Sequence, residues 1–253
     1  MKKNFRKIRQ KMLTNNKFSK YLIYAIGEIV LVVIGILIAF QVNSWNENRK
    51  ENIEERAILE SLDENLILAK QQSEALIAEE EALKKLLILI LGIDSGKAAK
   101  DRIAITDSIF KSAVWDLQSN QPTFNTYSNL KNTNKLSLIR NKNINEKFTN
   151  LEFKLNKLND LLEDRLSVHQ IRIDDILEND INFIPLVKSN IPSINISNES
   201  ENDYRQLLEV KRIRNLLGMK LTFTQDIIDY RKNLDEEITE ILLLIEAELK
   251  ESK

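Results

Sequence analysis

Residues Tyr21–Val42 read YLIYAIGEIVLVVIGILIAFQV, a run of 22 residues in which Glu28 is the one charged side chain. At about 1.5 Å per residue a helix of this length reaches roughly 33 Å, enough to cross the hydrocarbon core of a bilayer. A cleaved signal peptide is the competing reading. Its apolar region would be about 7 to 15 residues long and would end in small residues, whereas Phe40, Gln41 and Val42 follow Ala39 here. The run is therefore read as an uncleaved signal-anchor helix.

Charge is distributed unevenly around it. Residues 1–20 carry eight basic side chains and no acid, and the stretch from Asn43 onward holds 29 basic and 37 acidic residues. The basic head favours a cytoplasmic N-terminus under the positive-inside rule. The expected topology is a basic cytoplasmic tail (1–20), a single membrane pass (21–42) and an exported, periplasmic domain (43–253), all at a cell inner membrane. Tyr21, Tyr24 and Trp45 sit where aromatic rings anchor at the two interfaces. The tail is expected to meet lipid headgroups rather than nucleic acid, for which no aromatic or motif support exists.

Five Gly and three Pro in 253 residues supply too few turns for a many-stranded protein, so the exported part is expected to be all-α. Leu59, Leu62, Leu66, Ala69, Ser73, Leu76, Glu80, Leu83, Leu87 and Ile90 follow one another in steps of three and four, the seam spacing of a coiled coil or antiparallel bundle. Ser73 and Glu80 are polar gaps in that seam. Further helical stripes run through Ile144–Ile181 and Tyr204–Leu249. Long helices are expected at about 45–91, 97–120, 143–183 and 202–250, and they must bury their stripes on one another in an antiparallel bundle. Ser95 is a candidate cap for the second helix. Asn143 and Glu146 resemble a capping box, and Gly218 marks expected close packing.

Candidate chemistry is sparse. With no Cys and one His, thiol nucleophiles and Cys/His zinc sites are absent, and no phosphate loop or other signature of a cofactor is present. His169 reads as a partly buried, hydrogen-bonded structural histidine. The Ser-x-x-Lys pairs at Ser108/Lys111 and Ser128/Lys131 lack the companion elements of acyl-enzyme chemistry. Glu79–Glu81 and Asp235–Glu237 read as solvated helix faces. No catalytic, cofactor or metal residue is named, and the chain is expected not to be an enzyme.

The membrane helix offers the best candidate site. Glu28, Gly35 and Ala39 share one helical face, and Gly35-x-x-x-Ala39 is a small-residue pair that permits close helix approach. A charge in the span is costly, so three readings stand for Glu28: interhelical hydrogen bonding, snorkelling to the inner interface, or an ion path.

The segment KYLIYAIGEIVLVVIGILIAFQVNSWNE (20–47), the later TYSNLKNTNKLSLIRNK (126–142) and the last amphipathic helix together resemble an uncharacterised family of single-span bacterial membrane proteins, common in the Bacteroidota and known as a domain of unknown function. The likeness is strongest at Gly27, Glu28, Gly35, Asn43, Trp45 and Asn46. It implies a bacterial cell envelope and brings no activity or catalytic residue. The expected function is a membrane-anchored structural or interaction protein that self-associates or docks on an envelope partner. The alternatives are a small-molecule sensor and an accessory subunit of a membrane transporter.

Overall fold

A computed structural model describes residues 17–94, 104–117 and 119–251. Most of the basic tail and the proposed Ser95 cap lie outside the described residues. The chain divides into two units, residues 1–56 and 57–253. Among the described residues there is no strand.

Helix α1, Lys17–Leu91, belongs to both units. In the first unit every residue from Leu22 to Asn43 is exposed. Among the described residues this is the one helix long and apolar enough to cross a membrane.

In the second unit α2 (Asp107–Val114), α3 (Asn125–Asn132), α4 (Lys142–Val168), α5 (Asp174–Asn179), α6 (Ile184–Val187), α7 (Tyr204–Leu207) and α8 (Lys211–Glu251) accompany the rest of α1. All ten residues of the seam read from Leu59 to Ile90 are buried, Ser73 and Glu80 included. Cross-links set the directions of the three long helices. On α1, Lys70 donates to Asp235 and Thr239, Lys232 to Glu81, and Arg214 to the Leu91 carbonyl. On α4, Lys147 pairs with Glu240 and Lys154 with Glu237. Sequence number rises on one side of each pairing as it falls on the other, so α8 runs antiparallel to both α1 and α4, which run parallel to each other.

Two parallel helices need a return connection between them, and residues 115–117 and 119–124 belong to it. Thr123 N–H donates to Gln72 Oε1 at 2.8 Å and Thr126 N–H to Asn65 Oδ1 at 3.2 Å, so the chain travels back along α1. Asn134 then takes a left-handed conformation, φ 57°, and opens a single 3-10 turn, Lys135–Leu138. Asparagine tolerates this region better than most side chains.

Three local expectations are corrected. Helix α4 is capped by Asn141, whose side chain accepts from Asn143 N–H, and not by an Asn143–Glu146 box. Asn141 offers its oxygen to a free N–H in the first turn and starts the helix earlier. The helix expected over 202–250 is two helices, because α7 ends at Leu207 and α8 begins at Lys211. In place of the helix expected over 97–120, the described residues there hold only Asp107–Val114, capped by Thr106 Oγ1 accepting from Ile109 N–H.

The apolar side chains form two clusters. One gathers Leu59, Leu62, Leu66, Ile144, Phe148, Leu151, Leu234, Ile238 and Ile241, with Tyr127 stacked on Phe148 at 4.6 Å. The other gathers Leu83, Leu87, Phe110, Val114, Ile173, Ile176, Ile213 and Leu217, with Phe110 stacked on Tyr204 at 4.3 Å. Each buried aliphatic side chain contributes about 1.5–3 kcal/mol.

Candidate functional site

Glu28, Gly35 and Ala39 are exposed on the apolar part of α1. Seven residues and eleven residues are close to whole numbers of turns at 3.6 residues per turn, so the three lie within about 40° of arc. A Cβ added at Gly35 would meet nothing within 4 Å, which leaves the face open there. Of the three, Glu28 alone carries a polar side chain.

The second unit holds a different feature, a layer of charged residues buried between the two apolar clusters. Glu80 on α1 is fully buried and receives two hydrogen bonds from Arg165 on α4, at 2.6 and 2.8 Å. Arg231 on α8 approaches the same carboxylate at 3.6 Å and donates at 2.9 Å to the Asn120 carbonyl. Lys220, about three turns before Arg231 on α8, donates to the carbonyls of Val114 at 2.7 Å and Asp116 at 3.2 Å. Burial, with the Arg165 charge adding to it, pushes the Lys220 ammonium down to about 7, against the pull of Asp116 and Glu80.

The physical logic of the layer is the return connection. An irregular segment laid against a core exposes main-chain carbonyls that helices would otherwise satisfy internally, and each unpaired buried one costs free energy. Lys220 and Arg231 supply the missing donors. Arg231 Nε and Nη1 have no hydrogen-bond partner in the buried layer, so its charge is balanced mainly by Glu80.

His169 lies in the single π-helical turn His169–Ile173 that joins α4 to α5. It is buried, 6% exposed, more fully than the partial burial expected, and its Nδ1 has no hydrogen-bond partner, which corrects the hydrogen-bonded reading. Burial, reinforced by the charges of Lys220 and Arg165, lowers its pKa to about 4, so the imidazole is neutral near pH 7. The extra residue of a π turn shifts helical phase, and Ile173 and Ile176 beyond it regain the core.

Two carboxylates read as solvated prove to be buried. Glu80 has no exposed area and Glu237 only 4%. Burial alone would raise the Glu237 pKa, but hydrogen bonds and charge from Lys154 and Lys147 outweigh it and hold the carboxyl below its usual range. Gly218, read as a point of close packing, has open space where a Cβ would stand. The lysines of both Ser-x-x-Lys pairs are engaged elsewhere, Lys111 with Asp116 and Lys131 with Glu152. Among the described residues no group of three or more His, Asp or Glu side chains is arranged to hold a metal ion.

Part of the charged layer was readable. Glu80 interrupted an otherwise apolar seam, and Lys220, Thr224 and Arg231 fall on the inward steps of α8 between Leu217 and Leu234. Arg165 is hidden from the helical pattern by its apolar neighbour Leu166, which fits the stripe but is only half-buried, while Arg165 takes the inward place.

No curated protein and no solved structure matches the chain. The similarity that does exist lies in α1 and takes in Glu28, Gly35, Asn43, Trp45 and Asn46, but neither Gly27 nor the 126–142 segment. Residues 28–90 match the model of a family of unknown function, DUF6090.

Proposed function

We propose that the chain is a membrane-anchored interaction protein of the bacterial cell envelope, with a cytoplasmic basic tail, one pass through the inner membrane and a periplasmic helical domain without catalytic activity. The observation that carries this reading is the exposed apolar helix from Leu22 onward, joined in one chain to a domain with its own core. A helix apolar on all faces is stable in lipid, whereas in water it would have to be covered.

The charged layer supports an architectural role over a chemical one. Its donors are directed at main-chain carbonyls and at the Glu80 carboxylate, and an active site needs groups left available to a substrate. Through Glu28, Gly35 and Ala39 the span would associate with a second copy or with a larger membrane protein. Hydrogen bonds of this kind are worth about 0.6 kcal/mol on average in a membrane, so close packing at the small residues would supply much of the affinity.

The test is photo-cross-linking in intact cells from single positions on the Glu28 face and on the opposite face of the span. Capture of a discrete species from the Glu28 face alone is the expected result. Equal capture from both faces, or none from either, would refute association through this face.

A further inference from the structure

On the surface of the second unit a recess of about 360 Å³ is lined by Trp115, Asp174, Leu177, Glu178, Ile181, Asn182 and Phe183. Its volume falls in the range of small-molecule sites, and its walls have the usual make-up of apolar and aromatic surface with a few polar groups. The Trp115 and Phe183 rings stand 5.2 Å apart and are tilted to each other. Trp115 is 38% exposed although it is the largest side chain in this part of the molecule.

The acidic residues of α5 divide into two kinds. Asp175 is paired with Arg212 at 2.8 Å, and Asp180, which follows the helix, is paired with the same guanidinium. Asp174 and Glu178, which line the recess, have no cation of their own among the described residues. The nearest basic group to Asp174 is His169, whose Nε2 is 3.7 Å from Oδ1, too far for a hydrogen bond, and that imidazole is neutral. Asp174 Oδ1 is buried and accepts no hydrogen bond. Burial and the Glu178 charge both raise the Asp174 pKa, the mark of a carboxylate lacking a counter-ion. Two carboxylates four residues apart on a helix repel unless something positive lies between them.

We propose that this recess binds an organic ammonium group, held by the Asp174 and Glu178 carboxylates and covered by the Trp115 and Phe183 rings. Aromatic faces attract cations through their quadrupole, Trp most strongly, and tolerate the alkyl substituents that a metal-ion site would exclude. A bare metal ion is a poorer fit, because the two carboxylates are accompanied by apolar walls rather than by further oxygen ligands. The same ammonium chemistry could arrive on a free small amine or on the lysine of a partner protein. The inference does not depend on the interaction reading above.

The test uses the full chain in a neutral maltoside detergent, since phosphatidylcholine carries the very group in question. Trp45→Phe leaves Trp115 as the one tryptophan, the sequence having two, and its fluorescence reports on the recess. Choline chloride and N-acetyl-lysine methylamide are titrated at constant ionic strength against sodium chloride. A saturable change with a midpoint on the order of 1 mM for either probe is expected. Choline alone would indicate a free quaternary or small amine, and the lysine derivative a partner side chain. Glu178→Gln, at an exposed position that leaves the fold intact, should weaken binding about tenfold, and Asp174→Asn with Glu178→Gln should abolish it. A response no different from sodium chloride for both probes, or an unchanged midpoint in Glu178→Gln, would overturn the proposal.

Discussion

Arg165 grips Glu80 with both guanidinium nitrogens, at 2.6 and 2.8 Å, across 85 residues of sequence and with both side chains out of reach of solvent. Arg231 completes the triad at 3.6 Å from the same carboxylate. Removing the shared anion leaves two guanidiniums buried together. Glu80→Ala should therefore cost about 3–5 kcal/mol, whereas Glu80→Leu combined with Arg165→Met and Arg231→Met should recover most of the loss. Denaturant unfolding of the full chain in detergent measures both, and a single variant as stable as the parent would show that the triad is not the constraint described.

The buried bases set the pH dependence. The fold holds Lys220 at about 7 against an ordinary 10.5, so between those values the unfolded chain carries a proton that the folded chain lacks. Stability should rise with pH from about 7 toward 10 and be insensitive to Lys220 below 7. Lys220→Met should flatten that rise. His169, at about 4 against 6.5, acts in a separate window, with its contribution lost as pH falls from about 6.5 to 4, and His169→Leu should remove that loss. Chevron-independent equilibrium titrations at pH 5, 7 and 9 distinguish the two.

Gly218 is an interior residue of α8 with nothing within 4 Å of a built Cβ. Alanine there gains helix propensity without a clash, a stabilisation of about 1 kcal/mol. The melting temperature of Gly218→Ala should climb by roughly 2–4 °C. A fall would mean that the glycine admits a neighbour after all.

Ile238 is fully buried, while Leu155 is half-buried at the edge of the same cluster. Aspartate at Ile238 should unfold the second unit. At Leu155 it should cost less, because the carboxylate can turn toward water. Circular dichroism melts of the two variants give the order directly, and equal melts would contradict the burial difference.

If the apolar part of α1 self-associates as proposed, Gly35→Ile should weaken that association at least as much as Glu28→Leu, since close approach depends on the missing side chain. An in-membrane association reporter carrying the isolated span provides the comparison. A signal untouched by either change would assign the face to a different partner.

The sequence by itself determined the long apolar N-terminal helix, the helical class and the α1 seam, because each rests on one-dimensional facts: the length of an apolar run, the scarcity of Gly and Pro, and steps of three and four. It also put Ser73 and Glu80 on the steps of that seam, although the Glu79–Glu81 run by itself reads as a solvated face. Only the tertiary structure decided what those gaps meet. Arg165, Lys220 and Arg231 come to Glu80 and to the carbonyls of Val114, Asp116 and Asn120 because α1 and α4 run parallel and force an irregular return segment against the core. Helical periodicity is a local property, indifferent to helix direction, so it cannot foretell which distant carbonyls will need a donor or which acids will be buried to balance it.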